Sequence, residues 1–376
     1  MTAATHSAMS SVREPRLYVA FELGKTDWKL AMTSGFGVEP WVRGVASGDW
    51  TAVTRVLALG RARFGLAGAA PVASCYEAGR DGFWIHRALG QRGIANRVVD
   101  SASIEVNRRA RRAKTDRLDA RKLVTMLVRV CSGELHVWSE VRVPSVADEA
   151  ARHVSRERTA LTQEQTRLTN QIRGWLATYG SAVPRRRPTG WWTTVCDWAG
   201  MVLPLEVQMR LERAETRLAL LADQIATLEG QQQAAVTSAA PASALGRLVQ
   251  LKGIAATGAS VLLDEGLLWR DFQNRRQIGG LLGFAPTPYN SGDAEREQGI
   301  SRAGNNRLQS ISIQLAWSWT RWQPASALTQ WYQARFGTGK RARRIGIVAV
   351  ARKLVIALWR YVTRGVIPAG AILRTA

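Results

Sequence analysis

The chain has 376 residues, 52 of them Lys or Arg against 29 Asp or Glu, for a formal net charge of +23. Cationic excess of that size, spread over several segments, attracts polyanions and points to nucleic acid as the partner. Three dispersed cysteines (Cys75, Cys131, Cys196) exclude a disulfide framework, and four histidines without ligand spacing to them exclude a structural zinc.

No apolar run reaches the roughly 18 residues needed to cross a bilayer, and the N-terminus lacks a signal-peptide core, so a cytoplasmic protein without a membrane partner is expected. Fifteen tryptophans are expected mostly in cores and interfaces.

The first elements alternate. Leu17–Leu23 reads as a strand, followed by a turn at Gly24-Lys25, a second strand near Trp28–Thr33 and a third near Trp41–Val45. A helix from Trp50 then leads to an apolar strand over Pro71–Tyr76 that ends at Glu77, then a helix at about 82–91 and a strand at about 94–99. Such alternation predicts an α/β domain over residues 15–135, a sheet with helices packed on it.

The segment 108–122 is dense in cations: Arg108, Arg109, Arg111, Arg112 and Lys114 precede Asp116 and Asp119. Leu118, Leu123, Val124 and Leu127 predict a helix, on which a three-residue spacing puts both aspartates on one face. Paired acids amid cations suit a divalent metal acting on a phosphodiester; they also suit an exposed helix laced with ion pairs. Glu22, near the end of the first strand, and Glu77, at the end of the fourth, lie where such sheets collect reactive groups. Four acids converging there would hold Mg²⁺; each strand-end acid is equally well read as a solvated one.

Residues 145–230 read as helical, with Leu161, Leu168 and Trp175 at seven-residue intervals. A break at 180–188 carries Arg185, Arg186 and Arg187. Beyond it Leu211, Leu218 and Ile225 run in one register and Ala214, Leu221 and Leu228 in another. That seam predicts a coiled coil, pairing with itself or with a second subunit, and a homo-oligomer is expected. Residues 231–244 are small, polar and uncharged, and read as a linker.

The last segment, 245–365, is expected to be mostly α. Leu248–Leu263 shows two helical pieces about a turn at Lys252-Gly253, as in a helix-hairpin-helix that holds a DNA phosphate, or in a plain helical hairpin. Leu282–Pro288 reads as a loop exposing Ser291 beside Gly292. The stretch 299–308 places Ser301, Arg302 and Arg307 at a helix start. Either serine is read as a nucleophile or a cap; no histidine is near to activate it.

These blocks, in this order from about residue 17 to about 363, resemble the insertion-sequence family 110 transposases, relatives of the Piv DNA invertase. The residues that carry the resemblance are Glu77-Ala-Gly, Lys114-Thr-Asp116-Arg-Leu-Asp119-Ala, Leu282-Gly-Phe-Ala-Pro286, Ser291-Gly292 and Gly299-Ile-Ser-Arg-Ala-Gly304-Asn305. The resemblance implies an N-terminal domain of the RNase H/RuvC-like DEDD type, a coiled-coil middle and a C-terminal transposase domain. It implies that Glu22, Glu77, Asp116 and Asp119 bind Mg²⁺ as catalytic acids and that Ser291 is the nucleophile, with Ser301 as the alternative.

The resemblance further implies donor and target DNA as substrates and a structured noncoding bridge RNA as guide. It implies a dimer or tetramer in which acids of one subunit serve the serine of another. The cations at 108–114 and 185–187, with Lys252, Arg302 and Arg307, would contact nucleic acid. Family members have aspartate at the first acid, where this chain has Glu22, a longer side chain for an ion that demands near-octahedral geometry. Two other readings stand beside this one. They are a metal-dependent nuclease of the Holliday-junction-resolvase type and a catalytically inactive nucleic-acid-binding homologue.

Overall fold

The computed structural model describes residues 14–104, 116–291, 294–301, 303–337 and 339–374, with backbone alone at 102, 287–291 and 294–298. The chain divides into two compact units, Met1–Pro144 and Ser145–Ala376.

The first unit is built on a five-stranded sheet in the order β3-β2-β1-β4-β5. Strands β1 (Leu17–Leu23), β2 (Asp27–Thr33) and β3 (Trp41–Ala46) form an antiparallel meander, and β4 (Val72–Glu77) and β5 (Ala95–Val99) join β1 in parallel. The parallel strands need crossovers, which α1 (Trp50–Arg63) and α2 (Trp84–Gln91) supply.

Alternation along β1 decides which helix packs where. Leu17, Val19 and Phe21 point to a core shared with Val53 and Leu57 of α1 and Ile85 and Leu89 of α2. Tyr18 and Ala20 point the other way, with Ala31, Ala73 and Cys75, against Ala120, Leu123, Val124, Leu127 and Val128 of α3 (Asp116–Cys131). The alanines keep that face low, so the Cys75 thiol lies 3.9 Å from the Leu123 carbonyl.

The second unit opens with α4 (Val146–Ala177), started by a capping box in which the Ser145 hydroxyl accepts from Asp148 N–H and Asp148 accepts from Ser145 N–H. It packs along α5 (Leu205–Ser238), with Leu168, Ile172 and Leu176 facing Leu211, Ala214, Leu218 and Leu221. The predicted seam is thus the buried face of a helical hairpin. Residues 231–238, expected within a linker, instead continue α5: Gln and Ala are good helix formers, and Gln232 is buried.

Seven further elements follow: α6 (Ala244–Gln250), α7 (Ala256–Leu262), α8 (Arg275–Leu281), strands β6 (Pro286–Ser291) and β7 (Ala294–Ile300), α9 (Asn306–Trp322) and α10 (Ala327–Phe336). The chain then runs through α11 (Lys340–Arg364), whose Val350, Ala351, Leu354, Val355 and Leu358 form the centre of this core. The stretch expected as a loop before Ser291 is a β-hairpin, in which Pro286 pairs with Ile300 and, after an irregularity, Pro288–Ser291 pair residue by residue with Glu297–Ala294. A π-helical turn, Leu263–Leu267, follows α7.

Candidate functional site

Two of the four acids are neighbours in the sheet. Phe21 pairs with Tyr76 across the parallel β1–β4 ladder, so the next residues, Glu22 and Glu77, stand side by side at the carboxyl ends of adjacent strands. Alternation puts them on the side of Ala20 and Cys75, the face that α3 covers. Asp116 and Asp119 occupy the first turn of α3, Asp116 exposed and Asp119 half-buried above the buried Ala120. Arg121, one turn on, is held by Glu39 at 3.2 Å.

Across the antiparallel ladder Glu22 is in register with Lys29, whose ammonium pairs with Asp27 and holds that carboxyl below its usual range through a hydrogen bond and charge attraction. Hard carboxylate oxygens at two strand ends and one helix turn are the donors Mg²⁺ takes, and the adjacency of Glu22 and Glu77 fits such an ion. A preformed cage is not seen: among the described residues no group of three or more His, Cys, Asp or Glu comes together closely enough to hold a metal. Arg108, Arg109, Arg111, Arg112 and Lys114 lie outside the described residues.

Ser291 is the last residue of β6, at the tip of the hairpin, next to Gly292, which lies outside the described residues. The hairpin root is tied twice: Ser301 N–H donates to Ala285 O at 2.9 Å, and Asn305 N–H to Leu281 O at 2.8 Å. Gly304 is needed there, since an added Cβ would sit 2.5 Å from both Gly283 N and Leu281 O. Ser301 is half-buried at this root, whereas Ser291 is at the far end. Arg302 lies outside the described residues, and Arg307 is exposed in the first turn of α9.

The remaining cations are surface groups. Arg185 and Arg187 line a groove of 550 Å³ with Arg173, Thr169 and Ser181; Arg187 also pairs with Glu215 at 2.8 Å, and Arg186 is exposed beside them. Lys252 is exposed in the α6–α7 turn. That turn packs on α9, with Ser318 Oγ donating to Gly253 O at 2.7 Å, and Lys252 N–H and Ile254 N–H already donate to Ile372 O and Leu251 O. Spent amides make the turn a packing joint more than a phosphate cradle.

The structure adds a buried polar cluster that the sequence reading passed over. Glu265, 1% exposed, takes two bonds from Arg156, at 2.7 Å from Nε and 2.9 Å from Nη2, and a third from Asn305 Nδ2 at 3.1 Å. Burial drives its pKa upward, but the Arg156 and Asn305 hydrogen bonds outweigh it and hold the carboxyl below its usual range. Its neighbour Asp264 accepts from Ser155 Oγ at 3.0 Å. Burial pushes that carboxyl to about 6, the Ser155 bond opposing and the Glu265 charge adding to it. Two acids inside the apolar run Val261–Leu268 were the available signal.

Comparison with known proteins settles the lineage. Residues 246–331 match the model of the family described as "Transposase IS116/IS110/IS902 family". Over 96% of this chain and 95% of the relative, the sequence is 39% identical to "Putative transposase y4rJ" of Sinorhizobium fredii. The chain belongs to the IS116/IS110/IS902 transposase family. This transposase is also 24% identical to "Transposase for insertion sequence element IS1328" of Yersinia enterocolitica, over 56% of its own length and 62% of the relative's. The matched segment 246–331 contains the serine hairpin, Glu265 and Asn305. Among the described residues of this transposase no helix is long and apolar enough to cross a membrane.

Proposed function

We propose that this transposase cuts and rejoins DNA through a serine nucleophile and an acidic, Mg²⁺-binding site, guided by a structured noncoding RNA of its element. The observation that carries the reading is Glu22 beside Glu77 at neighbouring strand ends, on the face covered by the helix that bears Asp116 and Asp119. Strand order and helix placement support a RuvC-like reading of the first unit. The α4–α5 hairpin, with an apolar seam, supports a role in assembling a homo-oligomer.

The Ser291 oxygen attacks a DNA phosphorus. A phosphoserine bond forms as one phosphodiester P–O bond breaks, and the leaving deoxyribose oxygen takes up a proton as the serine gives one up. A hydroxyl from the partner strand then attacks the phosphoserine, reforming a phosphodiester and freeing the serine, so that neither step consumes a cofactor. Glu22, Glu77, Asp116 and Asp119 would hold Mg²⁺, which when bound supplies positive charge to the reacting phosphate. The cations of 108–114 and 185–187, with Lys252, Arg302 and Arg307, bind backbone phosphates of DNA and of the guide, leaving sequence reading to base pairing.

The test is a denaturant-stable protein–DNA adduct. With Mg²⁺, RNA transcribed from the noncoding flank of the gene and a plasmid carrying the element's ends, the native chain should form an adduct that Ser291→Ala abolishes. Cleavage without any adduct would make water the nucleophile and the protein a resolvase-type nuclease. No strand exchange unless Glu22 is changed to Asp would make it a nucleic-acid-binding homologue. An adduct retained in Ser291→Ala and lost in Ser301→Ala would move the nucleophile to the hairpin root.

A further inference from the structure

A carboxylate as deeply buried as Glu265 is retained at a cost, because burying an ion pair stabilises a fold less than apolar packing of the same volume does. Its bonds show what the charge does locally. One side is clamped by the Arg156 fork from α4. The other receives Asn305 Nδ2, and this fixes the amide, because a reversed amide would set oxygen against carboxylate. With nitrogen committed to Glu265, Asn305 Oδ1 faces the free N-terminus of α9, accepting from Arg307 N–H at 2.9 Å and Leu308 N–H at 3.1 Å. The backbone of Asn305 meanwhile donates to Leu281 O, and Gly304 is pressed against Gly283.

Residues 281–286 on one side and 300, 301 and 303–305 on the other flank the β6–β7 hairpin, and Asn305 is the point at which they are joined to the core. The π-helical turn Leu263–Leu267 carries both acids, Glu265 buried and Asp264 half-buried beside it. Irregular helix, buried charge and oriented amide all end at the hairpin root.

We infer that Glu265 is a positioning residue for the serine hairpin, acting through Asn305 to fix the root of β6–β7 and with it the backbone at Ser291. It rests on Ser291 being the nucleophile. Glu265 does not touch the reacting atoms; it sets where they are held.

The experiment pairs hydrogen exchange with the adduct assay on the full-length chain. Glu265→Met removes the acceptor of Asn305 Nδ2 at similar side-chain length and should speed exchange of the hairpin amides by about tenfold or more, leaving the α11 amides unchanged. Asn305→Ser keeps a helix cap but is too short to reach Glu265, and should do the same with the Arg156 pair intact. Glu265→Gln keeps an oxygen where Arg156 Nη2 and Asn305 Nδ2 both donate, turning its amide nitrogen to Arg156 Nε alone, and should hold hairpin exchange near the native rate.

In the adduct assay, with the plasmid and flank RNA named above, Glu265→Met and Asn305→Ser should each lower the adduct-forming rate at saturating DNA by about tenfold, with DNA binding unaltered, and Glu265→Gln should retain it. Native exchange at the hairpin in both Glu265→Met and Asn305→Ser would overturn the positioning role, as would an unchanged adduct rate in both. An adduct that survives Ser291→Ala would overturn the nucleophile reading alone, and the exchange data would still decide what Glu265 holds. If Glu265→Met loses protection throughout the second unit, Asn305→Ser carries the decision.

Discussion

Replacing Asp264 by Asn should stabilise the second unit at neutral pH and do nothing at pH 4. Burial raises the Asp264 carboxyl from 3.8 to about 6, so the folded state holds this proton more tightly than the unfolded chain does. The favourable contribution is therefore complete below about pH 4 and is lost as pH rises to about 6, above which an ionised, partly desolvated carboxylate remains beside Glu265. A displacement of that size corresponds to at most about 3 kcal/mol, and the residual solvent access of Asp264 reduces it to about 1–2 kcal/mol.

Asparagine stays neutral at every pH and still accepts from Ser155 Oγ, so the perturbation isolates the charge. Unfolding followed at pH 4, 5, 6 and 8, scored on the transition of residues 145–376, should show the two proteins coinciding at pH 4 and the variant ahead by that amount at pH 8. A difference that is constant with pH, or a variant less stable at pH 8, would refute the reasoning. A variant less stable at pH 8 would mean that the charge of Arg152, which lowers the Asp264 pKa, more than offsets the burial.

Asp116→Asn or Asp119→Asn should abolish strand cleavage with RNA binding nearly unchanged, checked by gel shift beside a cleavage assay; loss of folding instead would make the pair structural. Changing Arg185, Arg186 and Arg187 together to Ala should lower the slope of log affinity against log salt by about two, because Arg187 is already engaged by Glu215. Leu211→Ala removes a fully buried seam residue of α5 and should cost about 2–5 kcal/mol, read as a lower unfolding midpoint of the second unit. Gly304→Ala drives a methyl into the backbone of Leu281 and Gly283, and should free the hairpin to exchange while the α11 core stays protected.

The first unit was legible because period-two alternation and turn residues are local signals. The strands at Leu17–Leu23, Asp27–Thr33 and Val72–Glu77 fall within a residue or two of where their apolar runs place them. The ladder that sets Glu22 beside Glu77 is a long-range pairing, and only the strand-end position of each acid could be read beforehand. The β6–β7 hairpin was hidden by its prolines at 286 and 288, which mimic a loop and do break the register between them, although pairing runs on from Pro288 to Ser291. The end of α5 was hidden by Gln and Ala, compatible with either linker or helix until packing at Gln232 decides. Glu265 was least legible, since nothing nearby in sequence announces Arg156 or Asn305 as partners.

Ala20, Ala31 and Ala73 form the floor on which α3 rests, and they offer it only methyl groups. The altitude of the helix above the strands, and hence the reach its two aspartates need, is set by residues with no chemistry of their own. A single added methyl in that floor would lift the helix like a shim under a lever, so the spacing among the acids is open to adjustment by changes that leave every acid in place.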